Sequence, residues 1–360
     1  MGLGVWGRLS TAPALLRGAT YLIESPQFCG VRDIAWPQTR TRSFSSIPQN
    51  RFQSTPCLLK QCAHMAMSIL QLDMLDPFMH TECIMNRLNK EQRTKIIAAL
   101  VEGNSLRATA RMCDVAFNTV LKLLPEIGRA CMEYQDKALR NLTCKRIQCD
   151  EIWSFCYAKE KNVPADKQGQ FGYGDVWTWV AIDADTKLVP SFMVGTRGAQ
   201  TAKAFMDDLA SRLTARVQLT TDGHRVYLNA VEEAFGSDVD YSMLVKLYGN
   251  DSEPETHYSP AECIGCRAIS VIGRPDPKHI STSFVERQNL TMRMGMRRFT
   301  RLTNGFSKKI ENHIHHLALH YLHYNFCRIH TTLRVTPAMA AGIVDHVWDV
   351  SDIAGLLEPE

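Results

Sequence analysis

The pattern of apolar and polar positions divides the chain into three stretches of different character. Residues 1–85 show no sustained apolar period, which predicts a poorly structured extension rather than a packed element. From Asn89 the period turns helical. Ile96, Ile97, Leu100 and Val101 share one stripe, and Glu102-Gly103-Asn104 stops the run. Ser105 is placed to cap a second helix over 106–112. After a tight turn at Cys113-Asp114, a third helix is predicted over 116–124, ending near Pro125, with a separate linking helix after it, over about 127–142.

Beyond residue 146 short apolar runs replace the helical period. Strands are predicted over 146–157, 176–183 and 188–194, with Asp185-Thr186-Lys187 as a turn between the last two. An amphipathic helix over 199–213, a brief strand over 217–221, a helix over 225–235 and a fifth strand over 241–247 follow. Helices are then predicted over 281–298 and 306–327. Three strands followed by strand–helix alternation imply an α/β class: a mixed sheet with helices on both faces, preceded by an all-α unit. Trp153, Trp177 and Trp179 read as sheet core.

The two short helices joined at Cys113-Asp114 have the spacing of a helix-turn-helix, with Ala110 at the crossing, Val115 leaving the turn and Val120 as a buried anchor. Asp114 stands where such turns usually carry glycine, and aspartate tolerates a left-handed backbone better than most residues. Arg107, Asn118, Thr119 and Lys122 would then face outward, able to meet DNA.

Composition refines this picture only locally. The chain has 360 residues, 45% hydrophobic and 22% charged, with a net charge of +4, ordinary values for a globular protein. The charge is unevenly spread: between Glu286 and Arg334 nine Lys or Arg stand against two acids, an electrostatic footprint suited to a phosphate backbone. Residues 1–60 carry seven basic residues against Glu24 and Asp33. An Arg-rich, acid-poor stretch with serines can mark an organellar transit peptide, and the plainer expectation is a loosely attached extension upstream of Met85. Twelve scattered cysteines suit a reducing compartment. No run reaches the roughly 18–20 apolar residues that would span a bilayer, so no membrane is expected.

Three acids carry the chemistry. Asp150 interrupts a strong strand, where a carboxylate is costly to bury unless paired or bound to a cation. Asp222 stands where a strand ends and Gly223 opens a turn, the usual place for ligands on an open sheet. Glu286 sits in the second turn of a helix that continues with Arg287, Gln288, Asn289, Arg293, Arg297 and Arg298. In their settings, CDEIW, TTDGHRVY and SFVERQN, these acids resemble the three acids of DDE transposases of bacterial insertion sequences, of the insertion-sequence-one type in its loose usage. The similarity runs from Met85 to about Ile343. The tail motif of Tyr324-Asn325, Arg328, His330, Leu333 and Thr336-Pro337-Ala338 resembles the close of retroviral-integrase-like cores.

The resemblance implies an RNase-H-like catalytic core over about 143–335, a helix-turn-helix DNA-binding domain over 86–128, a linking helix over 129–142 and a tail over 336–360. About 60 residues separate Asp222 from Glu286, more than in the best-known integrase pattern, so 249–279 reads as an insertion. It also implies that Asp150, Asp222 and Glu286 are catalytic and bind two Mg or Mn ions, hard cations that favour oxygen ligands. Cleavage of element ends by water and transfer of the freed 3′ hydroxyl into target DNA would follow. Arg287, Asn289, Arg293, Arg297 and Arg298 would track phosphates of double-stranded DNA, with a homodimer or larger assembly holding two ends. The implied setting is the bacterial cytoplasm or nucleoid. The rival expectations are a nuclease of the same fold without strand transfer and an inactive, element-derived DNA-binding protein. Cys263 and Cys266 have the spacing of half a zinc site but read as two thiols in a loop. His316 and His320, at i and i+4, read as packed helix positions, since no glutamate follows His316.

Overall fold

The computed structural model describes residues 88–248, 263–300 and 304–358. Helix α1 (Lys90–Val101) opens on a capping box between Asn89 and Gln92, and the chain leaves it at Gly103, whose φ of 78° is natural for glycine. A Cβ there would also meet the Gly295 carbonyl oxygen at 2.5 Å. Ser105 caps α2 (Leu106–Met112) by accepting from the Ala108 N–H. Asp114 adopts the left-handed conformation expected of it, with φ 52°, and the Val115 N–H closes the turn on the Ala110 carbonyl.

The third helix departs from expectation. Rather than ending near Pro125, α3 runs unbroken from Phe117 to Ala138, absorbing the linking helix. Proline forfeits one backbone bond, but Leu123, Leu124, Ile127 and Cys131 are all buried on the continuing face. Gly128 lets the partner helix approach so closely that a Cβ would lie 2.3 Å from that of His315. Gln135, itself buried, donates to the Ala318 carbonyl. Tertiary packing outweighs the local breaker.

Six strands form one mixed sheet in the order β3-β2-β1-β4-β5-β6: β1 (Arg146–Cys156), β2 (Gly174–Asp183), β3 (Ser191–Gly195), β4 (Val217–Asp222), β5 (Val239–Tyr248) and β6 (Cys263–Ile272). The first three pair antiparallel, β1 with β4 and β4 with β5 run parallel, and β6 closes the edge antiparallel to β5. With helices on both faces this is the RNase-H-like architecture. Cys149 and Trp179 pack with α4 (Ala199–Arg212) and α5 (Val226–Phe235). Ile152 and Val180 face α6 (Ser283–Gly295) and α7 (Ile310–Leu322).

Four further expectations are corrected. Strand β3 begins at Ser191, not Leu188, because Asn325 takes the place of a pairing strand: its side chain accepts from the Val189 N–H and donates to the Val189 carbonyl. The insertion, expected without an element, contributes β6, and Cys263 and Cys266 lie on that strand rather than in a loop. Helix α7 stops at Leu322 and passes into a π-helical turn over His323–Cys327. The tail is no appendage: α8 (Pro337–Ala340) and α9 (Val350–Gly355) bury Ala338, Ile353 and Ala354 in the core that α1–α3 also share with the sheet. The predicted 86–128 unit therefore has no separate core. No helix among the described residues is long and apolar enough to cross a membrane. Residues 1–85 and Arg301 lie outside the described residues.

Candidate active site

Strand register builds the site. Parallel pairing of Cys149 with Thr221 sets Asp150 beside Asp222, the last residue of β4. Adjacent β1 residues point to opposite faces, so Glu151 enters from the side of Trp179 and Tyr227. At the strand end all three acids converge: carboxylate oxygens of Asp150, Glu151 and Asp222 lie within 4.8 Å of one another. Asp150 and Asp222 open onto a cleft of about 500 Å³ whose walls include Arg197, His224, Lys246 and Glu286, while the Glu151 side chain lies buried behind them.

The Gln148 side chain fixes the helix that carries Glu286. Its amide oxygen accepts from the N–H groups of Phe284 and Val285 and so pins the start of α6 to β1. One turn further along, Asn289 donates to Asp150 Oδ2 at 2.8 Å. Glu286 lines the same cleft but stands outside the tight group, held by Lys246 Nζ at 2.7 Å and by the Thr282 hydroxyl at 2.5 Å. On the other wall, Arg197 Nε donates to Glu151 at 3.2 Å, and a second nitrogen approaches Asp222 at 3.9 Å.

Crowding of like charges under burial makes the acids poor anions. Burial, then the neighbouring Asp222 charge, pushes Asp150 up to about 7, and the same two causes push Glu151 up to about 7. Asn289 Oδ1 is a buried oxygen without a hydrogen-bond partner among the described residues, and Glu151 lies against the buried Tyr227 hydroxyl. An all-oxygen donor set beside an orphaned acceptor fits a hard divalent cation.

The remaining sequence candidates are placed as follows. Arg107, Asn118 and Lys122 are exposed and Thr119 half-buried on the surface of α2 and α3, with Arg107 lying over the Phe117 ring. Arg287 and Arg297 are exposed and Arg293 half-buried. Two expected phosphate contacts are corrected. Asn289 is buried against Asp150, so it serves the acids rather than a DNA surface. Arg298 turns inward to His316 Nδ1 and the Ser307 hydroxyl, and burial lowers it to about 10. Glu151 and Arg197 were not singled out from sequence. The only signal for Glu151 was its adjacency to Asp150, and strand alternation argues against adjacent residues sharing a site.

The chain matches no protein-family model and no curated protein. Among solved structures it is similar to the Mos1 transposase paired-end complex with left transposon end, at 14% identity and a TM-score of 0.18, over 53% of this chain and 68% of that one. The piggyBac transposase synaptic complex with hairpin DNA aligns at 11% identity and a TM-score of 0.34, over 74% and 70%. The Mos1 strand transfer complex aligns at 13% identity and a TM-score of 0.20, over 75% and 85%. At such TM-scores the likeness decides nothing about chemistry, which is left to the acids themselves.

Proposed function

We propose that this chain is a DDE transposase of the insertion-sequence kind, cutting DNA at element ends and joining the freed ends to target DNA. The observation that carries this reading is the convergence of Asp150, Glu151 and Asp222 within 4.8 Å, with Asp150 and Asp222 opening onto a cleft that Glu286 also lines. Asp150 and Asp222, the two acids set side by side by strand register, would hold a first cation together with Glu151. Glu286 is the fourth carboxylate available to a second. Bound Mg or Mn supplies charge neutralisation at phosphorus and a lowered pKa for an attacking water or hydroxyl.

The protein side chains then have distinct tasks. Asn289 orients Asp150 through its 2.8 Å hydrogen bond, and α6 is itself held in place by Gln148. Arg197 and Lys246 stand on opposite walls, each already paired with an acid, and offset negative charge when a phosphate enters between them. Cleavage breaks a phosphodiester P–O bond and leaves a 3′ hydroxyl. In joining, that oxygen forms a new bond to a target phosphorus as the target's own 3′ oxygen departs. Arg107, Asn118, Thr119 and Lys122 would contact double-stranded DNA, and a homodimer or larger assembly would hold two ends together.

The decisive experiment uses Asp150→Asn and Asp222→Asn in a Mn-supported assay with a pre-cleaved element end. Loss of both cutting and joining, with DNA binding retained, is the expected result. Unchanged activity in either variant would eliminate the reading, and cutting without joining in the unmodified protein would reduce it to a nuclease.

A further inference from the structure

Helix α6 presents Glu286 to the acid cleft on one side and lines a second cavity, of about 130 Å³, with Phe284, Arg287 and Gln288. The opposite wall comes from Lys187, in the turn before β3, and from Arg328 and His330, just past the π-helical turn. Its chemistry is the reverse of the cleft's: three cationic side chains and no acid among the described lining residues.

Among the described residues, none of the three cations is in an ion pair. Lys187 is buried. It donates to the Ala184 carbonyl and lies 3.4 Å from the centroid of the Phe284 ring, contacts that bring no full negative charge. The nearby acids are engaged elsewhere: Asp185 pairs with Arg146, and Asp183 accepts from Thr186. Lys187 and Arg328 are close enough to His330 to lower its pKa, in addition to its burial. Two hydrogen-bonding atoms are also left over. The Gln288 amide nitrogen is buried without a partner, in a residue only 3% exposed, and His330 Nδ1 is likewise unpartnered.

The lining is not accidental to the fold. The Tyr324 hydroxyl donates to the Lys187 carbonyl, and Asn325 brackets Val189, so the turn and the C-terminal segment are fastened together. One buried cation, Lys187, and two exposed arginines facing the same small cavity, beside a buried amide donor lacking an acceptor, make a lining that suits a tetrahedral oxyanion. We propose that this cavity is a phosphate-binding pocket, in which Lys187, Arg287 and Arg328 supply the charge and Gln288 and His330 donate hydrogen bonds. A backbone phosphate of bound DNA and free inorganic phosphate share this chemistry. Only the first source rests on the proposed function.

The test uses the full chain carrying Asp150→Asn, without metal, so that strand cleavage plays no part. Inorganic phosphate binding is followed by calorimetry at low salt, and binding of a duplex oligonucleotide is followed as a function of salt. Arg287→Gln with Arg328→Gln, both exposed positions, is expected to abolish phosphate binding. If the phosphate comes from DNA, the pair also lowers the slope of log affinity against log salt by about 0.9. An unchanged slope with phosphate binding lost assigns the pocket to free phosphate and leaves it standing. Gln288→Leu keeps every cation, so a several-fold loss of phosphate affinity there separates a defined pocket from diffuse charge, with exposed Lys161→Gln as the control. Unaltered phosphate binding in either the arginine pair or Gln288→Leu would overturn the proposal, and melting temperatures establish that each variant is folded.

Discussion

The acid cleft and the histidine-rich helix α7 are both clusters of titratable groups, and burial acts on them in opposite ways. Around the acids it raises carboxylates, pushing Asp150 and Glu151 up to about 7. On α7 it lowers imidazoles: His313 and His320 fall to about 3, both by desolvation first. Two of the four α7 histidines have fixed partners, whereas His315 Nδ1 and His320 Nε2 have none among the described residues. His313 meets the Ser307 hydroxyl at 2.8 Å, and His316 accepts from Arg298 while its other nitrogen reaches the Leu100 carbonyl. Neutral rings with fixed partners are mortar between helices. Crowded acids, each raised by burial and by its neighbour's charge, are a cluster that added positive charge would relieve.

The largest effect expected from this contrast is on Mn affinity. Asp150→Asn and Glu151→Gln should each weaken it by more than the roughly 10–100-fold typical of outer partners, measured by calorimetry. Glu286→Gln should weaken it less, because Glu286 is tied to Lys246 and Thr282; an equal loss would place it among the tight ligands. Asn289→Ala, which removes only the orienting bond to Asp150, should cost about 10–100-fold in metal-dependent cleavage.

The α7 histidines give a stability effect whose sign is fixed by linkage. Their folded pKa values lie below the unfolded value, so between about 6.5 and 3 the unfolded chain binds more protons and stability falls as pH falls. At pH 5 the loss is on the order of 2 kcal/mol for each of His313 and His320. Because the raised Asp150 and Glu151 act in the opposite sense over the same window, it is read from urea midpoints at pH 7.5 and 5 in an Asp150→Asn, Glu151→Gln background. A flat profile over that window would remove the distinction between the two clusters. Gly128→Ala should cost about 1–3 kcal/mol in the same unfolding assay, because its Cβ would collide with His315. The exposed Lys203–Glu233 pair marks the bottom of the scale: Lys203→Ala should leave the urea midpoint unchanged.

Much of the frame was legible before any coordinates. The strands ending at Asp183 and Asp222 and the helices ending at Arg212 and Phe235 lie within a residue or two of expectation, because each has a clean apolar period. Strand β6 was not legible: it is an edge strand whose side chains are mostly exposed, so burial imposes no alternation on it. Pro125 misled for the opposite reason, since a local breaking signal was overruled by contacts made with a helix nearly 200 residues away. Arg298 and Asn289 looked like part of a basic DNA-facing helix, and nothing local could say that their partners would be His316 and Asp150.

Taken alone, the amino-acid order determined which segments alternate at strand or helix spacing and where Asp150, Asp222 and Glu286 interrupt or end them. Those are short-range properties, settled by neighbours along the chain. Which carboxylates meet was decided only in three dimensions. The Cys149–Thr221 register carries Asp150 to Asp222, the end of β4 lets Glu151 join from the opposite face, and Lys246 reaches across to hold Glu286 apart. Strand pairing and helix docking are long-range choices made by burial of the whole core, so the composition of the acid cluster is a property of the packed molecule.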